Sequence, residues 1–185
     1  MRASFVPPLD PSAYPFQHEI RVRFAETDAM GIVHHAAYLP YLEEARVEWL
    51  RVLGHPYDVL RAEGTDFAVV EVQARYRAPA RFDDIVQVHL GLGTRARSTF
   101  RIGYLLTVDD RPVLTAITAH AAVHSDRGVD HYLQVEAGRL LVAASDLGYH
   151  ESRQMLPAQR LPDALLQAWR IDTNSIAGNR EIIKG

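Results

Sequence analysis

One stretch limits the choice of fold more than any other. Residues 36–53 carry Tyr38, Leu42, Ala45, Trp49 and Leu53 at i, i+4, i+7, i+11 and i+15, the spacing of one apolar helical stripe. Glu43, Glu44, Arg46, Glu48 and Arg51 fall largely off that stripe, so the segment reads as a long helix with one wet face. Gly54 and then Pro56 close it. Pro40 conflicts with a helix interior but not with a first turn, where its missing N–H has no partner to lose. The surroundings read as strands. From Gln17 to Ala25, Ile20, Val22 and Phe24 alternate with Glu19, Arg21 and Arg23, the period of a strand with one exposed face. Glu26 to Val33 is a loop, and a short helix is expected over Tyr57 to Glu63. Four more strand-like runs follow, Phe67 to Ala78, Ile85 to Arg95, Thr99 to Val108 and Val113 to Ser125, joined by short turns rich in Pro, Asp and Arg. Only one helix has a stripe long enough to cover a sheet, so the pattern predicts an α+β fold: about five antiparallel strands wrapped around a central helix.

At 185 residues the chain has material for one domain, expected over residues 16–170. Pro7, Pro8, Pro11 and Pro15 make residues 1–15 an extended leader, and residues 171–185 read as a loose tail. Residues 126–155 mix turn formers with a strand-like core at Arg139 to Ala144 and are expected to form an insertion, followed by a short helix from Pro162 to Arg170. A net charge of −3 provides no field to hold a nucleic-acid backbone. With no cysteine, disulfides, thiolate metal sites and a Cys nucleophile are all excluded. No apolar run approaches the ~18 residues needed to cross a bilayer, and the expectation is a soluble, cytoplasmic protein without membrane insertion. His34 and His35 are adjacent, and His120 and His124 lie on a predicted strand without a carboxylate at ligand spacing, so no metal site and no cofactor are expected. There is no G-x-S-x-G elbow and no Gly-rich phosphate loop.

The candidate chemistry lies around the start of the long helix. Asp28 sits in the loop ahead of it, and the first N–H groups of a helix have no intrahelical partners and carry the positive end of its dipole. A carboxylate beside such donors suits hydrolysis of an acyl group, where a base or nucleophile attacks carbon while donors meet the developing negative charge on oxygen. An Asp at this place is otherwise a cap or an Asx turn.

Residues 21–51 contain T-D-x-x-G-x-V-x-H-x-x-Y (Thr27 to Tyr38) followed by E-x-A-R-x-E (Glu43 to Glu48), and the later run from Val72 to Asp84 contains Y-R-A-P-A-R-F-D-D. These motifs resemble the 4-hydroxybenzoyl-CoA thioesterase family of hotdog-fold proteins, and are most similar to its Tol-Pal-associated acyl-CoA thioesterase subgroup, over roughly residues 16–125. The resemblance implies a hotdog fold and hydrolysis of an acyl-CoA, with an acyl carrier protein thioester as a second possible substrate. It implies Asp28 as the catalytic carboxylate, acting as nucleophile or as base for water, and the N–H near His35 as polarizer, the His35 side chain assisting. Gly31 is read as allowing a positive φ or a close approach of substrate, or as only turning the chain, and Tyr38 as substrate-pocket wall or core. The resemblance makes the turn of Arg95, Arg97 and Ser98 a contact for the CoA nucleotide. A solvated hairpin turn is the plain alternative for that turn. Glu43 is assigned to structure, pairing with Arg46 on the surface, and Glu26 to tuning Asp28 by like-charge repulsion. The resemblance also implies a homodimer pairing further into a homotetramer. Two other functions stay open, a hotdog hydratase and a non-catalytic acyl-binding module; the hydratases' Asp/His pair is not found, and the binding module predicts loss of Asp28, which is present.

Overall fold

The computed structural model describes residues 5–124 together with 162–164 and 167. Its five strands are β1 (Phe16–Arg21), β2 (Thr65–Tyr76), β3 (Ile85–Arg95), β4 (Thr99–Val108) and β5 (Arg111–His124). They form one antiparallel sheet in the order β1-β3-β4-β5-β2, which leaves β1 and β2 at its edges. Successive side chains of each strand divide between the two faces of the sheet. Val86, Val88 and Leu90 of β3 and Phe100, Ile102, Tyr104 and Leu106 of β4 join the main core with Trp49, Tyr41 and Leu50 of the helix. Leu105 of β4 and Ile117 of β5 belong instead to a second apolar cluster on the opposite side.

The long helix α1 runs from Tyr38 to Val52, with Pro40 inside its first turn. A 3₁₀ turn, His35–Ala37, leads into it, so the regular helix starts two residues later than the stripe suggests. Its end is fixed by local chemistry. Gly54 takes φ +80, its N–H bonds to Arg51 O at 3.0 Å, and the His55 N–H bonds to Leu50 O at 2.9 Å. That pair of bonds is a Schellman cap, which needs a residue tolerant of the left-handed region. Tyr38, Leu42, Ala45 and Trp49 are buried as the stripe requires, and Tyr41, Arg46 and Leu50 are buried beside them. A short helix, α2 (Tyr57–Ala62), follows.

Three readings of the sequence are corrected. The first strand ends at Arg21, because Phe24–Glu26 curl into a 3₁₀ turn that exposes Phe24. Leu53 caps the helix and is only half-buried. Arg46, expected on the wet face, is 2 % exposed. The described part of the proline-rich leader, residues 5–15, is extended apart from one 3₁₀ turn, Pro11–Ala13, yet it packs: Phe5 and Tyr14 are buried against Leu105 and Ile117 on the outer face of the sheet. The expected segment at 126–155 and the tail lie outside the described residues. Of the expected last helix, Asp163, Ala164 and Gln167 are helical. Among the described residues no helix is long and apolar enough to cross a membrane.

Candidate active site

The loop that carries Asp28 is tied at both ends. Thr27 bridges to Val33, the Val33 N–H bonds to Ala80 O at 2.8 Å, and the His34 N–H bonds to Glu26 O at 2.8 Å. Within it the Asp28 N–H bonds to Ile32 O, the Gly31 N–H bonds to Asp28 O, both at 2.9 Å, and Gly31 adopts φ +70, which any other residue would find strained. Asp28 Oδ1 accepts the Met30 N–H at 2.8 Å, the Asx turn expected of an Asp here. The carboxylate is half-buried and its position is set by the backbone of its own loop.

At the far end of this loop the chain enters α1. His34 Nδ1 accepts the Ala36 N–H at 3.3 Å, and His34 and His35 pack ring against ring with centroids 4.1 Å apart. The Tyr76 hydroxyl donates to His35 O at 3.0 Å. The exposed His35 N–H has no hydrogen-bond partner among the described residues and lies at the positive end of the helix. Tyr76 was not singled out from sequence, where it is only one residue of an alternating strand. Tyr38 is 3 % exposed and stands in the core between Tyr41 and Tyr76, with centroids 5.9 and 5.8 Å away.

The Glu26 carboxylate is taken up by Arg23 and Tyr41: it accepts from the Arg23 backbone and guanidinium at 2.8 Å and from the Tyr41 hydroxyl at 2.5 Å. Burial alone would raise its pKa, but those hydrogen bonds prevail and hold it below the ordinary carboxylate range. Glu26 therefore serves to anchor the loop to α1.

Arg95, Arg97 and Ser98 form the β3–β4 turn, with both arginines exposed. The turn is braced by the Ala96 N–H on Thr99 O at 2.7 Å and by Ser98 O accepting the Ala122 N–H at 2.8 Å. It lies at the opposite end of the sheet from Asp28, whose loop meets the segment just ahead of β3 through the Ile32–Arg81 bridge and the Val33 N–H on Ala80 O. Between them β3 spans roughly 33 Å at the usual rise of a strand. Within one chain the basic turn and the carboxylate are far apart.

A cavity of 180 Å³ opens between α1 and the inner face of the sheet, lined by Leu39, Leu42, Glu43 and Arg46 of the helix and by Val69, Val72, Tyr104, Thr118 and His120. A bulge in β2 between Val69 and Glu71 brings Val69 and Val72 to the same face, opposite His120 and Thr118. Arg46 donates to the half-exposed Glu43 carboxylate through Nη2 and lies 5.3 Å over the Tyr57 ring, while its buried Nη1 has no partner. His120, 1 % exposed, stacks on Phe100 at 4.8 Å, and its Nε2 lies 2.7 Å from Thr118 Oγ1. Burial first, and the nearby Arg46 charge second, push the imidazole down to about 3, so it is neutral at physiological pH. The sequence reading considered His120 only as a metal ligand; its place on the core-facing register of β5 was the signal that it is a buried polar group. Among the described residues no cluster of three His, Asp or Glu side chains could hold a metal ion.

The five-stranded antiparallel sheet and its one long helix define a hotdog fold. Residues 22–169 match the thioesterase-like superfamily, and the chain belongs to it. A protein of Aquifex aeolicus is 41% identical over 113 residues, which cover 61% of this chain and 88% of that one. The acyl-CoA thioester hydrolase YbgC of Escherichia coli is 40% identical over 73 residues, covering 40% of this chain and 54% of that protein, so the match spans about half of YbgC. A crystal structure of a hypothetical protein from Aquifex aeolicus aligns with a TM-score of 0.65 at 32% identity, over 84% of this chain and 99% of that one. The chain is an enzyme, a thioester hydrolase.

The buried neutral His120 makes a prediction about stability. Its folded pKa lies below the unfolded value of 6.5, so the unfolded chain binds a proton that the folded one refuses between those values. The associated stability is complete above pH 6.5 and is lost as pH falls toward 3. Denaturant titrations should show stability falling below pH 6.5 by on the order of 1 kcal/mol per pH unit from this residue. The slope should flatten in His120→Leu; an unchanged slope would show that the imidazole is not held neutral.

Proposed function

We propose that this chain hydrolyses acyl-CoA thioesters, with Asp28 as the catalytic carboxylate and the His35 N–H as the donor to the thioester oxygen. The observation that carries the reading is that unpartnered N–H, at the positive entry to α1 and in one continuous loop with a carboxylate held by its own backbone. In one version Asp28 takes a proton from water, hydroxide adds to the carbonyl carbon, and the carbon–sulfur bond breaks as the CoA thiolate leaves and collects a proton. In the other Asp28 adds to the carbon itself, the carbon–sulfur bond breaks to release the CoA thiolate, which collects a proton, and water then opens the resulting anhydride to free acid and Asp28 carboxylate. Both need the negative charge on oxygen met by a fixed donor, which a backbone amide supplies without reorganisation. The motif in residues 21–51 favours the Tol-Pal-associated subgroup. The His35 side chain lies against His34, beside its own N–H, where it can shape the approach to the carbonyl.

The reading includes a homodimer in the cytoplasm, capable of pairing further into a tetramer. Edge strand β2 is exposed on both faces from Val72 to Tyr76, an unpaired edge of the kind proteins cover. Antiparallel pairing of β2 with its copy would set the Asp28 end of one sheet beside the Arg95 end of the other. The carboxylate of one copy and the basic turn of its partner could then hold two ends of one CoA thioester. Arg95, Arg97 and Ser98 would grip its phosphates, and Gly31 would let the acyl end approach closely.

Three outcomes follow. Asp28→Asn, nearly isosteric, should lose more than tenfold in kcat/KM, about 1.4 kcal/mol or more, with unchanged melting temperature; a variant that kept activity would remove Asp28 from the mechanism. Arg95→Ala/Arg97→Ala should raise KM for an acyl-CoA while sparing kcat, each contact being worth about 1 kcal/mol and weakened by salt, with little effect on the matching acyl-pantetheine. Equal losses on both substrates would make these arginines structural. Light scattering should give at least twice the chain mass of 20.8 kDa for the active species, and an active monomer would overturn the shared site.

A further inference from the structure

We propose that the Tyr76 hydroxyl is a positioning group for the oxyanion donor: it holds the peptide that follows the His35 N–H and so sets the line along which that amide meets the thioester oxygen. This deepens the hydrolytic reading above, rests on it, and adds to its machinery a residue 41 positions along the chain. The need for such a group comes from where the donor lies. His34, His35 and Ala36 are exposed, so no core contact holds them, and the regular helix that the core does hold begins only at Tyr38. Hydrogen bonds must fix the turn.

Two kinds of bond do so. One kind is internal: the Ala37 N–H on His34 O at 2.9 Å and the Ala36 N–H on His34 Nδ1 at 3.3 Å. These bonds give the turn its shape, but they move with it and leave its aim open. The other kind ties the turn to its surroundings. Ahead of the donor the His34 N–H bonds to Glu26 O at 2.8 Å, and behind it the Tyr76 hydroxyl donates to His35 O at 3.0 Å. These two bonds bracket the His34–His35 peptide that carries the donor. Among the described residues Tyr76 is the only side chain from outside residues 34–37 that hydrogen-bonds to this turn.

Tyr76 is itself placed to hold a direction. It forms the last pair of the β2–β5 ladder, opposite Leu114, and just beyond it the Arg77 N–H bonds to Val113 O at 2.9 Å. Its ring packs against Tyr38, which is 3 % exposed, with centroids 5.8 Å apart. The hydroxyl is thus carried on an arm fixed by the sheet and the core. A water at the same carbonyl would satisfy the oxygen without constraining the turn. Negative charge on the thioester oxygen develops only on the way to the transition state, so a misdirected donor slows the chemical step and leaves substrate binding nearly unchanged.

Tyr76→Phe keeps the ring and removes the donor. It should lower kcat on hexanoyl-CoA about tenfold, with KM within about twofold and the melting temperature unchanged. Placing 4-aminophenylalanine at position 76 restores an N–H donor and should recover most of the loss. The donor is read directly with the ketone analogue of hexanoyl-CoA, which has CH2 in place of sulfur and carbon-13 in the carbonyl. Its infrared carbonyl band, bound to the protein, should lie at higher frequency in Tyr76→Phe than in the wild type, because a weaker hydrogen bond leaves the C=O stiffer. An unchanged kcat and band, a loss confined to KM, or a fall in melting temperature that 4-aminophenylalanine does not reverse makes the hydroxyl structural and overturns the proposal. If Asp28→Asn hydrolyses as fast as the wild type while the band still moves in Tyr76→Phe, the positioning stands and Asp28 leaves the mechanism. If Asp28→Asn is inactive while Tyr76→Phe matches the wild type in rate and band, the hydrolytic reading stands without Tyr76.

Discussion

The seating of α1 on the inner face of the sheet is the contact on which every other feature depends. Trp49, Tyr41, Leu50 and Ala45 are at most 2 % exposed there, and each Leu-sized side chain so buried contributes about 1.5–3 kcal/mol. Because the helix is held along its whole length, its N-terminal turn has a fixed direction, and with it the His35 amide. The same seating forces Arg46 inward: a buried face of seven residues includes a position that a narrower stripe would leave wet. The guanidinium tolerates that place through the Glu43 carboxylate at the mouth and the Tyr57 ring beneath it.

The bulge in β2 has a second effect on the site. One extra residue at Val70 lets Val69 and Val72 share a face, so the cavity wall is aliphatic on the strand side while Glu71 turns outward. There Glu71 meets Arg101 at 2.8 Å, reaching across Ala119 of β5, which is small enough to let the pair close. A regular strand would not give both the wall and that ion pair.

Much of the architecture was legible because the two periods are strong. The turns flanking the two strand-like runs located β3 and β4 to the residue, and the stripe located α1 to within two residues at its start. The first strand was overrun because Phe24 kept the alternation going where the backbone had already turned; an exposed phenylalanine in register looks like a buried one. Of the candidate site, Asp28, Gly31 and His35 come from one continuous segment, so sequence proximity sufficed to group them. Tyr76 reaches it, and Thr118 and His120 line the cavity under α1, from strands far along the chain, and nothing in their local patterns distinguishes a lining residue from a core one. Arg46 was misplaced for a related reason. A helical wheel tells which way a side chain points but not how much of the circumference a concave sheet will cover.

The leader has a bearing on assembly. Phe5 lies so close over Gly93 that a Cβ at that glycine would strike its ring, and Tyr14 sits beside it, its hydroxyl on Pro8 O at 2.8 Å and its ring 6.3 Å from His89. Together they form a lid of the chain's own making over the Leu105–Ile117 patch. Two sheets meeting back to back would need that patch bare. Growth past a pair of copies must then proceed by the helical side or the strand margins, or begin by peeling the first residues away.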